Sequence, residues 1–345
     1  MKKILYYITD HGKGHATRSI AIIRELQKFD IDVTVINSNS IEFIQNSIPE
    51  IDIISHKTDV GLIVKDDAVS VDEDKSKNEM SKWIYSLDKH AREEKERISK
   101  LNPDLIISDI SAMPLLVAKA MNIPSIAISN FSWYDSSNFL EKDTLEILKQ
   151  AYDCASIAIK LPFGTPMKHF KNTYQVGIVA RKTERTKQQI KSQLGISNSE
   201  FVVLYAMGTD SYKIKCSYDK NIRVLSMNSS VTNSINNSKI PNISTWTEGQ
   251  ELVSISNLVI CKSGYGMISE CLTNGVPFFY LSDKNRIELN MISDELAKIK
   301  LNNEITMSKI NSLHLSKNYL DTLTQYEKIP IDTLNVVQKI LEFFK

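Results

Sequence analysis

The chain has 345 residues, 42% of them hydrophobic and 24% charged, with a formal net charge of +1 at pH 7. That is long enough for one large or two medium domains, too apolar for a disordered chain, and too balanced in charge for a dedicated nucleic-acid binder. Four cysteines, none at C-x-x-C spacing, argue against a disulfide framework or a zinc site and for a reducing cytoplasm.

The N-terminus reads as a first strand, Ile4 to Thr9, not as a signal peptide, and no stretch approaches the length of a membrane span. The turn Asp10-His11-Gly12-Lys13-Gly14-His15 follows. A helix from Ala16 to Phe29 then carries Ile20, Ile23 and Leu26 at helical spacing. Asp32 to Ile36 and Ile51 to Ser55 read as strands around a short helix, Ser40 to Asn46. Residues 58–78 are charged and irregular and read as a loop. Trp83 to Leu101 is one long helix with a solvated charged face. Strands follow at Leu105 to Ser108, with Asp109 at the carboxyl end, and at Ser125 to Ser129, with a helix from Leu115 to Met121 between them. The aromatic loop Phe131 to Tyr134, which includes Trp133, leaves the carboxyl edge of the second of these, where open α/β sheets bind ligands. It serves either acceptor stacking or core packing. Ala155 to Leu161 is the last strand of the first half.

The junction is placed near Ala180, and the basic run Arg181 to Gln189 reads as a surface helix or linker. The second half restarts the strand–helix alternation of a parallel sheet. Phe201 to Ala206, Ile222 to Met227 and Ile243 to Trp246 read as strands. Residues 211–221 are too few for a full crossover helix, so a trimmed connection is expected there. Residues 228–238 read as a loop. Glu251 to Ser256 is a short helix. Next comes the most informative stretch, SNLVICKSGYGMISECLTNGVPFFYL over 256–281. It reads as buried strand, glycine turn, helix, Gly275 stop and strand. Such a turn aims backbone N–H groups and a helix N-terminus at the sheet edge, which suits a diphosphate. An ordinary packing turn has the same spacing. Thr333 to Phe344 is an amphipathic helix.

Two blocks carry a resemblance, Gly14-His15-Ala16-Thr17-Arg18 and residues 257–281. They are similar to the glycine–histidine turn and the donor-binding signature of GT-B nucleotide-sugar glycosyltransferases. That group includes the bacterial peptidoglycan N-acetylglucosaminyltransferase and the plant and microbial UDP-glycosyltransferases. The resemblance implies an α/β fold of two Rossmann-like doubly wound domains facing across a cleft. Residues 1–180 would bind the acceptor and 181–332 the nucleotide sugar, with helix 333–344 packed back on the first domain. It implies that Ser263, Gly264, Tyr265 and Gly266 hold the donor diphosphate, with Lys262 beside them. Glu270 would bind the ribose hydroxyls, and Gly208 and Thr209 would face the phosphates. Trp246 and Thr247 would frame the base. His15 matches a general base and Asp109 the carboxylate that orients it; a structural cap of the turn is the plainer role for His15. His11, on the same loop, is its substitute, and Gly14 and Trp133 lie on the acceptor side. His56, His90, His169 and His314 read as surface or core residues. Glu288 stands for the acid that reads the sugar hydroxyls, but Leu289 replaces the glutamine that usually follows it.

The implied activity is inverting, metal-independent transfer from a nucleotide sugar, UDP-linked by resemblance. The acceptor is an unknown small molecule, glycan or lipid-linked hydroxyl, and contact with a membrane surface is compatible with the last of these. No cofactor, metal or nucleic acid is expected. The alternatives are a catalytically silent nucleotide-sugar binder, which Leu289 favours, and a 2-epimerase-like enzyme, which needs more acid–base residues than are visible. A dehydrogenase is disfavoured because DHGKGH lacks the full G-x-G-x-x-G fingerprint.

Overall fold

The computed structural model describes residues 1–65, 71–208, 212–227, 230–243, 245–282, 286–301 and 303–345. The chain forms two compact units. Unit 1 comprises Met1–Ile63, Val71–Val179 and Ile331–Lys345; unit 2 is built mainly from Ala180–Pro330.

Unit 1 alternates strands β1 (Lys2–Ile8), β2 (Ile31–Ile36), β3 (Asp52–Ile54), β4 (Leu105–Asp109), β5 (Ser125–Ser129), β6 (Ile157–Lys160) and β7 (Thr173–Gln175) with helices. The helices are α1 (Lys13–Leu26), α2 (Ile41–Ser47), α3 (Glu73–Tyr85), α4 (Leu87–Ile98), α5 (Met113–Met121), the single turn α6 (Trp133–Ser136) and α7 (Lys142–Tyr152). All strand pairs are parallel, in the order β3-β2-β1-β4-β5-β6-β7. β1, β4 and β5 are apolar runs buried on both faces, as a parallel sheet covered by helices requires. The strand order reverses between β1 and β4. At such a switch point the connections leave toward opposite faces and open a crevice at the carboxyl edge. The turn before α1 and the end of β4 both lie there.

Three expectations change in this unit. The strand expected to be the last, at Ala155 to Leu161, is followed by β7, which pairs with β6 at the sheet edge. The helix expected over Trp83 to Leu101 starts earlier, at Glu73, where Asp72 caps α3 by accepting from Lys75 N (3.0 Å). It also breaks at Ser86 into two helices.

Unit 2 contains α8 (Lys187–Gln193), β8 (Phe201–Ala206), β9 (Lys213–Tyr218), β10 (Ile222–Met227), β11 (Ser230–Asn233), α9 (Gly249–Ile255), β12 (Leu258–Lys262), α10 (Tyr265–Asn274), β13 (Phe278–Leu281), α11 (Ile287–Lys298), α12 (Met307–Ser312), β14 (His314–Leu315) and α13 (Lys317–Asp321). Its main sheet is parallel, in the order β10-β8-β12-β13. A second sheet, β11-β9-β14, is also parallel. The connection between β8 and β10 therefore passes through a strand of another sheet. The sequence of β9, KIKCSY, explains this: Ile214 and Cys216 are buried while Lys213 and Lys215 are exposed, a period of two that no helix satisfies. Ile214, Cys216, Val231 and Leu315 share a core with Val203, Tyr205, Val224 and Ile260 of the main sheet. The loop expected over 228–238 contains β11. The strand expected at Ile243 to Trp246 is not formed among the described residues; an isolated bridge joins Asn242 to Ser226. Gly275, at φ +69°, ends α10 in the left-handed region that a side chain would strain.

The last helix, α14 (Thr333–Leu341), belongs to unit 1 and packs on α1. It is moored where Gly177 N donates to Asp332 Oδ2 (2.6 Å) and Asp332 N to the Ile178 carbonyl (2.7 Å).

Candidate functional site

In unit 1, β4 delivers Asp109 to the switch point and α1 delivers His15 on its first turn. His15 Nδ1 lies 3.2 Å from Asp109 Oδ1, with both side chains buried. Arg18, one helical turn beyond His15, reaches the same carboxylate. Its Nε donates to Asp109 Oδ2 (2.7 Å) and its Nη2 to Oδ1 (2.6 Å), and Nη2 also lies 2.8 Å from His15 Nδ1. Ser19 Oγ donates to Oδ2 (3.0 Å). Nη1 donates to Asn130 Oδ1 (2.5 Å) and Nη2 to Ser129 Oγ (3.1 Å) at the end of β5. Burial pushes the Asp109 carboxyl up. The Arg18 charge and hydrogen bonds outweigh burial and hold it at about 2.

The backbone is bent sharply at this point. Ile110, next to Asp109, has φ +68°, a left-handed conformation costly for a β-branched residue. Ser111 N donates to the Asp109 carbonyl (3.0 Å), and Tyr152 Oη donates to the Ile110 carbonyl (2.6 Å). Asn130 is fixed in turn by the segment 163–165. Thr165 N donates to its carbonyl (2.8 Å), and its own Nδ2 donates to the Phe163 carbonyl (3.2 Å).

The aromatic loop resolves toward core packing. Phe131 and Trp133 are buried, and Trp133 Nε1 donates to Asp59 Oδ2 (2.9 Å). Trp133 is thus no exposed platform for an acceptor. Asp59 also accepts from Thr9 Oγ1 (2.6 Å), and burial pushes its carboxyl up. Gly14 is exposed. His11 packs edge-on against Trp133, with its ring centroid 6.3 Å from that of His15.

In unit 2 the strand order reverses between β8 and β12, and both following turns carry expected residues. After β8, Gly208 has φ +81°; Thr209 lies outside the described residues. After β12, Ser263 N donates to the Leu281 carbonyl (3.0 Å), so this amide belongs to the sheet and is not offered to a ligand. Its hydroxyl is buried with no hydrogen-bond partner. Gly264 precedes α10 with no side-chain cap, and the first intrahelical bond is Ile268 N–H to the Gly264 carbonyl (3.1 Å). The amides of Gly266 and Met267 therefore have no acceptor inside the helix. Tyr265 is buried, and the Lys262 ammonium lies 4.9 Å from the Tyr212 ring centre.

Glu270 lies further along α10 and is 1% exposed. It faces Arg181: Nε donates to Glu270 Oε1 (2.9 Å) and Nη1 to the Thr247 carbonyl (2.7 Å). Arg181 is itself 3% exposed, which corrects the surface or linker reading of its position. A side chain at Gly249 would press on the same guanidinium, since an added Cβ would lie 3.2 Å from Nη2. Arg185 pairs with Glu251 and stacks on Trp246, 4.6 Å from its ring centre. Glu288 lies in the first turn of α11, and Leu289 after it is buried.

Sequence reasoning missed Arg18, Ser19, Asn130 and Arg181. A signal existed for Arg18: it shares the helix face of His15 at i+3 and is flanked by the core-facing Ala16 and Ile20, where a charge needs a partner. Arg181 carried none, because its partners lie 66 and 89 positions away.

The sequence family described as Glycosyl transferase family 1 matches residues 2–322. The chain belongs to that family. It is 25% identical over 293 residues to an L-arabinokinase of Arabidopsis thaliana, a match covering 80% of this chain and 28% of that protein. The chain thus spans little more than a quarter of the length of this curated relative. Among solved structures, the calicheamicin glycosyltransferase CalG4 matches 100% of this chain and 98% of its own at a TM-score of 0.58 and 12% identity. UGT89C1 of Arabidopsis thaliana, complexed with UDP, matches 100% and 91% at 0.54 and 11%. At these identities the likeness is one of fold, and it is the two-domain GT-B fold of nucleotide-sugar glycosyltransferases. Among the described residues no cluster of three or more side chains is placed to hold a metal ion, and no helix is long and apolar enough to cross a membrane.

Proposed function

We propose that this chain transfers a sugar from a nucleoside diphosphate donor, UDP-linked in the first instance, to an acceptor hydroxyl, with inversion, without a metal, and in the cytoplasm. The observation that carries the donor half is the start of α10. There a buried, unpartnered Ser263 hydroxyl and an uncapped first turn adjoin Lys262, at the switch point of the unit 2 sheet. Negative charge grows on the departing diphosphate, and prealigned amides and a lysine stabilise it without reorganising. Glu270, its Oε1 held by Arg181, reads the ribose hydroxyls. In unit 1, His15 takes the proton of the acceptor hydroxyl as that oxygen bonds to the anomeric carbon and the carbon–diphosphate bond breaks. The transition state has oxocarbenium character, as in glycoside hydrolysis. UDP as donor nucleotide is favoured by the UDP complex of a protein sharing the fold.

A second reading, a nucleotide-sugar binder that does not transfer, is favoured by one observation. The position expected to read the sugar through a glutamine is Leu289, and it faces the core.

Calorimetry of the wild type and Glu270→Gln against UDP, GDP, TDP and their glucose and N-acetylglucosamine conjugates tests the proposal. Glutamine is preferable to alanine because it keeps a hydrogen-bond acceptor for Arg181. One nucleotide binding to wild type and at least tenfold more weakly to the variant is expected. No binding at millimolar concentration refutes the donor site. Binding of a conjugate without release of nucleoside diphosphate, over acceptors of all three classes, favours the second reading.

A further inference from the structure

Arg18 Nη2 carries two hydrogens. Three acceptors lie within its reach: Asp109 Oδ1 at 2.6 Å, His15 Nδ1 at 2.8 Å and Ser129 Oγ at 3.1 Å. A guanidinium nitrogen can only donate, so Nδ1 at 2.8 Å must present its lone pair. A proton on Nδ1 would set donor against donor. Asp109 does not need the ring, because Arg18 and the Ser19 hydroxyl already supply three hydrogen bonds to it. The guanidinium has little freedom to retreat. Asn130 holds Nη1, and Asn130 is itself clamped by the Phe163 carbonyl and the Thr165 amide. All five residues at the carboxylate, His15, Arg18, Ser19, Ser129 and Asp109 itself, are buried, so these assignments are made between protein atoms.

We propose that Arg18 is a positioning residue that holds His15 with its ring proton on Nε2, and that the base-competent ring forms when Nη2 passes its hydrogen bond from Nδ1 to Ser129 Oγ. In that second arrangement Nδ1–H donates to Asp109 Oδ1, 3.2 Å away, and Nε2 has the lone pair that receives the hydroxyl proton. The exchange is neutral overall: as the ring moves off Arg18, water supplies one proton to Nδ1 and takes one from Nε2. The histidine thus stands as a hydrogen-bond donor until Arg18 shifts, which limits activation of water against a bound donor. This consequence rests on the transfer reading; the tautomer itself does not.

The test is two-bond ¹H–¹⁵N correlation spectroscopy of the imidazole-labelled full chain over a pH series, read where the ring nitrogens show the neutral pattern of one protonated and one unprotonated nitrogen. His15 is assigned by loss of its signals in His15→Gln. The expected wild-type pattern is protonation at Nε2. In Arg18→Met, which removes the donor facing Nδ1 and keeps Asp109 Oδ1 as an acceptor 3.2 Å away, protonation at Nδ1 is expected. A wild-type ring protonated at Nδ1 overturns the proposal, and so does an Arg18→Met ring protonated on Nε2 alone. If Arg18→Met does not fold, the wild-type pattern decides alone. Failure of nucleotide binding in calorimetry would remove the transfer reading and leave the tautomer standing. Nucleotide binding by a protein whose His15 is protonated at Nδ1 would do the reverse.

Discussion

Replacing Arg181 by methionine tests how deeply the pair with Glu270 is desolvated. The substitution keeps most of the side-chain volume and removes the charge, leaving the Glu270 carboxylate 1% exposed without the Nε donor at 2.9 Å. It also strips the Thr247 carbonyl of its 2.7 Å donor. Breaking a buried ion pair from one side costs roughly 3–5 kcal/mol, because the remaining charge stays in a poorly solvating interior. Hydrogen exchange read by mass spectrometry on peptides covering 249–274 isolates the effect in unit 2, where a single stability for the whole two-unit chain would not. At about 1.4 kcal/mol per decade, exchange there should speed up roughly a hundred- to several-thousand-fold. Arg181→Met/Glu270→Gln, which removes both charges, should recover more than half of that loss. A change of less than about 1 kcal/mol in Arg181→Met would mean that water reaches the pair, and the account of a locked ribose-reading carboxylate would fall.

Three further outcomes follow from the same geometry. The Asp109 carboxyl is held at about 2 against an ordinary value of 3.8, so its stabilisation of unit 1 is fully present above pH ~4 and is lost as pH falls toward 2; acid titration of exchange in peptides covering 105–130 should show a loss on the order of 2 kcal/mol in that window, and Asp109→Asn should flatten it. Gly164→Ala would place a Cβ 1.6 Å from the Asn130 carbonyl oxygen and should lower the stability of unit 1 by roughly 3 kcal/mol or more, whereas Gly14→Ala, with open space and no left-handed φ, should leave the melting temperature within a degree or two; equal melting temperatures for the two would refute the Asn130 clamp. Leu289→Gln, intended to restore the usual sugar-reading glutamine, should instead cost about 2 kcal/mol by burying an amide in the core side of α11, and unchanged denaturant stability would place that side chain at the surface.

Much of the scaffold was legible in short windows. The apolar runs of β1, β4 and β12, the helical spacing of α1 and the glycine stop after α10 are local patterns, and local periodicity reflects which faces a segment buries. Family membership was legible for the same reason, since the turns 14–18 and 257–281 are contiguous. β9 was also written locally, as the alternation in KIKCSY. It was passed over because the interval is too short for a crossover helix and only a trimmed connection was expected there; packing on the main sheet makes a strand the better answer. The charge pairs belong to the other category. Arg18 meets Asp109 across 91 positions and Arg181 meets Glu270 across 89. The resemblance paired Asp109 with His15, but nothing near Asp109 in sequence tells that an arginine shares its carboxylate, or that Glu270 has an arginine at its side. Such partnerships depend on which helix ends and strand ends the topology gathers at a switch point. By itself the sequence determined most of the elements, the family and which polar residues stand at the sheet edges. The tertiary structure decided how their protons and charges are shared, because the cost of burying a charge is set by whatever packs around it.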